Sequence, residues 1–135
     1  MIRIVSDNDV RGHVERLVEI CRASAWEELW VDLSIEVCTL LDLGLEENAS
    51  DATVWRTCQQ QNVVLITGNR NADAADSLEV TIRNEGGATS LPVLTISNRE
   101  RVARDRSYAE SVLVRLIEIL MELEELRGAG RLFLP

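Results

Sequence analysis

A chain of 135 residues, 46% hydrophobic and 27% charged, has the size and balance of one globular domain with one core. The net charge of −9 repels nucleic acid at long range, so any contact with it must be local. No apolar run approaches the ~18 residues that a membrane span needs, and the N-terminus does not read as a signal peptide.

The basic residues are all Arg, because the chain contains no Lys. This excludes a Walker-type phosphate loop, a phospho-accepting receiver domain and Schiff-base catalysis, which all require a lysine. The three cysteines are widely spaced and form no Cys-x-x-Cys pair. That spacing argues against a zinc site and favours a reducing compartment, so we expect a single cytoplasmic domain over residues 1–135.

The hydrophobic pattern predicts alternating strands and helices along the chain. Strands are expected at 2–6, 34–40, 62–67 and 91–97, and helices at 9–22, 24–32, 51–61, 77–85, 98–105 and 107–127. Ser24 and Ser50 are expected as N-caps, and the glycines at 86 and 87 as the end of the fourth helix. Alternation of this kind predicts a three-layer α/β/α fold with a mainly parallel sheet of about four strands and a long C-terminal helix.

The C-terminal helix carries an apolar stripe too wide for one surface contact. We expect part of the stripe to pack on the sheet and part on a partner chain. The tail "GAGRLFLP" ends in an apolar cluster that should dock on the body or across a dimer. These features favour a homodimer formed through the helix and the tail.

Polar side chains follow two of the predicted strands and begin one helix. They are Asp7, Asn8 and Asp9 after the first strand, Asp51 at the start of a helix, and Asn69, Arg70, Asn71, Asp73 and Asp76 after the third strand. Parallel sheets bind ligands outside the carboxyl ends of their strands. Carboxylates gathered there repel one another unless a cation joins them, and Mg²⁺ or Mn²⁺ prefers oxygen ligands. A simpler interpretation stays open, in which Asp7 and Asp51 only stabilise helix starts.

Three segments resemble PIN-like domains of the Mut7-C and DUF5615 type. "IVSDNDVRGHVERL" resembles their opening strand, Asp, polar pair and helix, and "LDLGLEENASDATVW" resembles their Leu-Gly loop and Ser-Asp helix start. "VVLITGNRNA" resembles their third motif, a buried strand, a Thr and then usually Asp-x-Asp. "ITGNRN" and "GRLFLP" are also similar to segments of a cyanobacterial group of small PIN-like proteins.

The resemblance implies a metal-dependent ribonuclease, a class that includes toxins of toxin–antitoxin pairs. It implies that Asp7 and Asp51 belong to the acidic site, while Asn69 and Asn71 stand where the family usually has Asp. Asp73 or Asp76 would then complete the metal ligands, and Asn8 and Arg70 would contact the substrate. Arg70 could instead pair with an acid of the site and take the place of the metal.

Two functions therefore stay open. One is a Mg²⁺- or Mn²⁺-dependent ribonuclease with a partly neutralised site, acting on RNA and possessing a protein partner if it is toxin-like. The other is a non-catalytic interaction or regulatory module that acts as a dimer. The arginines at 99, 101, 104 and 106 favour a solvated face paired with nearby acids over a phosphate site.

Overall fold

The computed structural model describes residues 1–68 and 77–135. The strands are β1 (Ile2–Ser6), β2 (Ile35–Cys38), β3 (Val63–Thr67), β4 (Val93–Ile96) and β5 (Arg131–Leu134). The α-helices are α1 (Arg11–Arg22), α2 (Glu27–Asp32), α3 (Asp51–Gln61), α4 (Leu78–Glu85), α5 (Arg99–Arg104) and α6 (Arg106–Met121). Among the described residues, no helix is long and apolar enough to cross a membrane.

The five strands form one sheet in the order β2-β1-β3-β4-β5, and every neighbouring pair is parallel. One side of the sheet packs Ile4, Ile66 and Leu94 against α1 and α6. On the other side, Val5 and Leu65 pack against the buried apolar residues of α3. The predicted three-layer α/β/α fold with a parallel sheet is confirmed, while the predicted count of four strands is wrong by one.

The additional strand is the apolar tail. Gly128 and Gly130 both adopt positive φ, of 88° and 79°, which favours glycine and turns the chain back toward β4. A Cβ on Gly128 would lie 3.0 Å from the Ala88 carbonyl oxygen, so this turn is also tightly packed. Arg131 to Leu134 then pair in register with Val93 to Ile96. The tail docks on the body of its own chain, with the Leu134 side chain fully buried.

The wide apolar stripe of α6 is buried within the same chain. Its buried residues are Tyr108, Ala109, Val112, Leu113, Leu116, Ile117, Ile119 and Leu120. α6 contacts α1, α5 and β5, which together cover more of its surface than a single sheet could. The stripe therefore does not require a partner chain, and the homodimer stays a prediction.

The helix starts follow local capping chemistry. The Ser50 hydroxyl accepts a hydrogen bond from Thr53 N, and the Ser77 hydroxyl accepts one from Val80 N, so both serines are N-caps. Ser24 is not one: its hydroxyl accepts from Trp26 N, and α2 begins three residues after it. Helix α1 begins at Arg11, because a single 3-10 turn over Asn8–Val10 precedes it.

Candidate functional site

The strand order places a topological switch point between β1 and β3. After β1 the chain moves outward to β2, and it then returns to form β3 on the opposite side of β1. β1 is followed in the chain by a strand on one side of it and β3 by a strand on the other, and parallel sheets bind ligands in the crevice outside the strand ends at such a point. The backbone N–H of Asp7 donates to the Ile66 carbonyl at 2.9 Å and joins the two strand ends there.

Asp7 lies directly after β1, in this crevice. One carboxylate oxygen accepts from Asn8 N at 2.9 Å and caps the 3-10 turn, and the other accepts from the Thr67 hydroxyl at 3.4 Å. Burial raises the pKa of Asp7, and the charges of Asp9 and Asp51 raise it further against the hydrogen bonds that lower it. The ionised carboxylate is therefore held where charge is unfavourable.

Asp51 reaches the same crevice from the first turn of α3, because the Ser50 cap starts the helix there. Its carboxylate accepts from Leu78 N at 3.2 Å, at the first residue of α4. The two helix starts are thus joined through this side chain. Since its charge acts on Asp7, the two predicted acids lie in one electrostatic neighbourhood.

Asn8 is exposed and ties two loops of the site together. Its side-chain amide donates to the Glu47 carbonyl at 2.9 Å, in the segment between β2 and α3. A groove with a volume of about 480 Å³ opens beside it. The groove is lined by Asn8, Arg11, Thr39, Leu40, Leu41, Leu45, Glu46 and Glu47. Its lining mixes amide, hydroxyl, charged and apolar side chains.

Arg99 is a residue of this edge that its sequence position did not reveal. Its guanidinium forms an ion pair with Asp9 at 3.3 Å. The other three arginines of its run pair within their own helices or with the adjacent cap, as Arg101 with Asp105, Arg104 with Glu100 and Arg106 with Glu110. The expected solvated face is confirmed for those three, whereas Arg99 reaches across to the loop after β1.

A second polar group lies beside α4. The Arg131 side chain, 9% exposed, pairs with Glu79 at 2.9 Å and donates to the Thr95 hydroxyl at 2.5 Å. The pair fastens β5 to the first turn of α4, near the Leu78 amide that Asp51 contacts. The sequence did not reveal it, because Arg131 is placed only once the tail is known to be a strand.

The five predicted site residues at positions 69 to 76 lie outside the described residues. They are Asn69, Arg70, Asn71, Asp73 and Asp76. Their proposed contributions to metal or substrate binding stay predictions. Gly68, the last described residue before them, follows β3 directly at the crevice.

The donor atoms at the crevice are suited to a hard divalent cation. Within residues 1–68 and 77–135, no three His, Cys, Asp or Glu side chains are grouped closely enough to hold a metal ion. Asp7 and Asp51 offer carboxylate oxygens, and Mg²⁺ is commonly bound by one or two carboxylates while it keeps several waters. A cation would also relieve the unfavourable charge that raises the pKa of Asp7.

Comparison with known proteins gave no match to a family model, to a curated protein or to a solved structure.

Proposed function

We propose that this chain is a metal-dependent ribonuclease of the PIN-like type, with its site in the crevice between β1 and β3. The observation that carries the proposal is the half-buried carboxylate of Asp7, whose pKa is raised by burial and by the neighbouring acids Asp9 and Asp51. An ionised carboxylate is unfavourable there, and a bound cation would relieve it. A carboxylate with a perturbed pKa near a switch point of a parallel sheet is a candidate functional group.

In this proposal Asp7 and Asp51 hold Mg²⁺ or Mn²⁺, and Asn69, Asn71, Asp73 or Asp76 complete the shell. A bound divalent ion of this kind supplies an activated water and polarises a phosphodiester. Thr67 orients the Asp7 carboxylate by its hydrogen bond, and the Leu78 amide orients Asp51. Asn8 and Arg70 contact the RNA backbone.

The groove beside Asn8 supports an RNA substrate, since Asn8 directly follows Asp7 in sequence and the groove offers both polar and apolar lining. A cytoplasmic location, a homodimer and a protein partner that restrains the nuclease belong to the same proposal. The net charge of −9 disfavours contact with RNA over most of the surface, so RNA would be able to bind only where a local cation meets it.

A second candidate is a non-catalytic interaction module with the same fold. It is favoured by the Arg99 ion pair, which already neutralises Asp9, and by the lack of a three-ligand group in the described part of the chain. In that case the crevice would bind neither Mg²⁺ nor Mn²⁺ at millimolar concentrations.

Isothermal titration with both ions, combined with cleavage of labelled single-stranded RNA, separates the two functions. The informative variants are Asp7→Asn and Asp51→Asn, because each amide keeps an oxygen that can accept the hydrogen bonds from Asn8 N and Leu78 N. Asp32→Asn is the matched control, since Asp32 is exposed and precedes the amino end of β2, at the opposite edge of the sheet.

We expect metal binding and cleavage in the wild type and in Asp32→Asn, and neither in the two site variants. A wild type that binds no metal and cleaves no RNA would leave the interaction module as the function. Cleavage that persists in Asp7→Asn or in EDTA would come from a contaminating nuclease and would refute the assignment.

A further inference from the structure

Arg99 occupies a position that joins the ends of three strands. It begins α5, just after β4, and its guanidinium Nη1 lies 3.3 Å from Asp9 Oδ2 in the loop after β1. The two residues are 90 positions apart in sequence. Its aliphatic portion lies over Gly68, which follows β3. Arg99 therefore places a positive charge beside Asp9, two residues after Asp7 in the segment that follows β1.

Gly68 makes this position possible. A Cβ built on Gly68 would lie 2.8 Å from Arg99 Cδ, 3.0 Å from Asp9 Oδ2 and 3.1 Å from Val10 Cγ1. Contacts below 3.0 Å essentially never occur for real Cβ atoms. Any side chain at position 68 would displace the arginine or the loop after β1. Because Gly68 has no side chain, the Arg99 side chain and the segment after β1 can both pack closely against it.

The Arg99 guanidinium is accessible to solvent although it pairs with Asp9. The Arg99 side chain is 48% exposed, and within the described residues Asp9 is the acid at ion-pair distance from it. A guanidinium carries five N–H donors, and the contact with Asp9 engages Nη1. The remaining donors can form the forked hydrogen bonds that phosphate oxygens accept.

Electrostatics make a cation at this edge necessary for a polyanionic substrate. The chain carries a net charge of −9 and has no Lys, and the crevice itself contains Asp7, Asp9 and Asp51. A phosphodiester that approaches these carboxylates is repelled unless a fixed positive charge meets it. Arg99 offers a half-exposed guanidinium at this rim, whose charge Asp9 partly balances and whose position Asp9 fixes.

We infer that Arg99 is a phosphate-binding residue of the site, which holds a backbone phosphate of a single-stranded RNA beside Asp7 while Asp9 keeps the guanidinium in place. This inference rests on the proposed nuclease function and names the residue that recognises its substrate. Arg104 provides the contrast, because it lies in the same helix, is 73% exposed and pairs with its own neighbour Glu100 at 2.8 Å.

The test compares Arg99→Gln with Arg104→Gln, which remove the same charge from the same helix. Binding of a fluorescein-labelled single-stranded RNA of twelve nucleotides is followed by fluorescence anisotropy at several salt concentrations. All variants carry Asp7→Asn, so that the RNA stays intact. Cleavage by the wild type is measured separately, so that binding and catalysis can fail independently.

We expect Arg99→Gln to weaken RNA binding about tenfold, the loss typical of one charge-assisted contact. The slope of log affinity against log salt should also fall by about 0.7, the value for one phosphate contact with a single strand. Arg104→Gln should change the affinity less than about twofold and leave the slope unchanged. A merely structural ion pair would not change the salt slope.

A second pair of variants keeps every charge. Gly68→Ala displaces the guanidinium and should weaken RNA binding several-fold, whereas Gly12→Ala, whose Cβ would meet nothing within 4 Å, should not. If Gly68→Ala binds RNA as tightly as its parent, the position of Arg99 is irrelevant to the ligand and the inference is wrong.

The remaining outcomes distinguish the phosphate-binding role of Arg99 from the nuclease function. Equal losses from Arg99→Gln and Arg104→Gln, or no RNA binding by any variant, would overturn the inference even if the wild type cleaves RNA. Binding that depends on Arg99 in a protein whose wild type cleaves nothing would support the phosphate site and overturn the nuclease. The two proposals are therefore distinguishable.

Discussion

Replacing Asp7 by Asn should make the folded protein more stable at neutral pH. The carboxylate is held half-buried between the charges of Asp9 and Asp51, which together with burial raise its pKa. An amide removes the charge but keeps an oxygen acceptor for Asn8 N, so the cap of the 3-10 turn survives. The substitution therefore isolates the effect of the charge from the effect of the hydrogen bond.

The sign follows from proton binding. Because the pKa of Asp7 is higher in the folded protein than its ordinary 3.8, the folded state binds more protons than the unfolded chain between those two values. The free energy of unfolding then falls as the pH rises through this window and stays lower at neutral pH. Asn never ionises, so Asp7→Asn gains at pH 7 and loses its advantage below about pH 3.8.

The gain should be about 1 kcal/mol, within the range that single stabilising substitutions commonly give. Unfolding entropy scales with length at roughly 2.1 cal/mol/K per residue, so for 135 residues this corresponds to a Tm increase of about 3 to 4 °C. Adding 10 mM Mg²⁺ to a wild-type site with a Kd of about 1 mM should contribute about 1.4 kcal/mol, and nothing in Asp7→Asn.

Thermal unfolding at pH 7 and below about pH 3.8, with and without Mg²⁺, measures both effects. Asp32→Asn removes an equal charge at the opposite edge and should change stability by less than about 0.5 kcal/mol. If Asp7→Asn is less stable than the wild type at pH 7, or matches Asp32→Asn, the Asp7 carboxylate is not destabilising. The electrostatic reasoning for a cation site would then fail.

Two further predictions concern the core. Leu134→Ala should lower the free energy of unfolding by about 2 to 5 kcal/mol in urea titrations, because the Leu134 side chain is fully buried in β5. Phe133→Ala is the control and should lower it clearly less, because the Phe133 side chain is 52% exposed. Equal small losses in both variants would mean that the tail contributes little to the core. Cys58 should react with a thiol reagent at pH 8 only after the protein unfolds. Burial, and then the charge of Asp7, raises the pKa of the Cys58 thiol to about 12. Rapid labelling of the native protein would contradict this prediction.

The elements that local chemistry determines were predictable from the sequence. Ser50 caps α3 through its own hydroxyl, and the apolar run of β3 is buried along its whole length, as a central parallel strand requires. Asp7, after the first strand, and Asp51, at the start of a helix, were expected near the same edge because parallel sheets bind ligands outside the carboxyl ends of their strands. These predictions needed only neighbours in sequence and the alternation of elements.

The parts that were missed depend on distant neighbours. The four-residue strand β5 is too short for its apolar pattern to distinguish a strand from a docked tail, and its partner β4 is more than thirty residues earlier. Arg99 lies in a run whose other members have acids nearby in sequence, so spacing suggested the same role for all four. Its actual partner, Asp9, is 90 residues away.

The three acids of the crevice differ in what balances them. Asp9 has the Arg99 guanidinium, and Asp51 accepts from the Leu78 amide at the start of α4. Among the described residues, the groups that donate to the Asp7 carboxylate are neutral: the Asn8 backbone amide and the Thr67 hydroxyl. Asp7 therefore gains most from an added cation. A phosphate on Arg99 and a metal at Asp7 would carry opposite charges at the same edge of the sheet, so we expect binding of either to strengthen binding of the other.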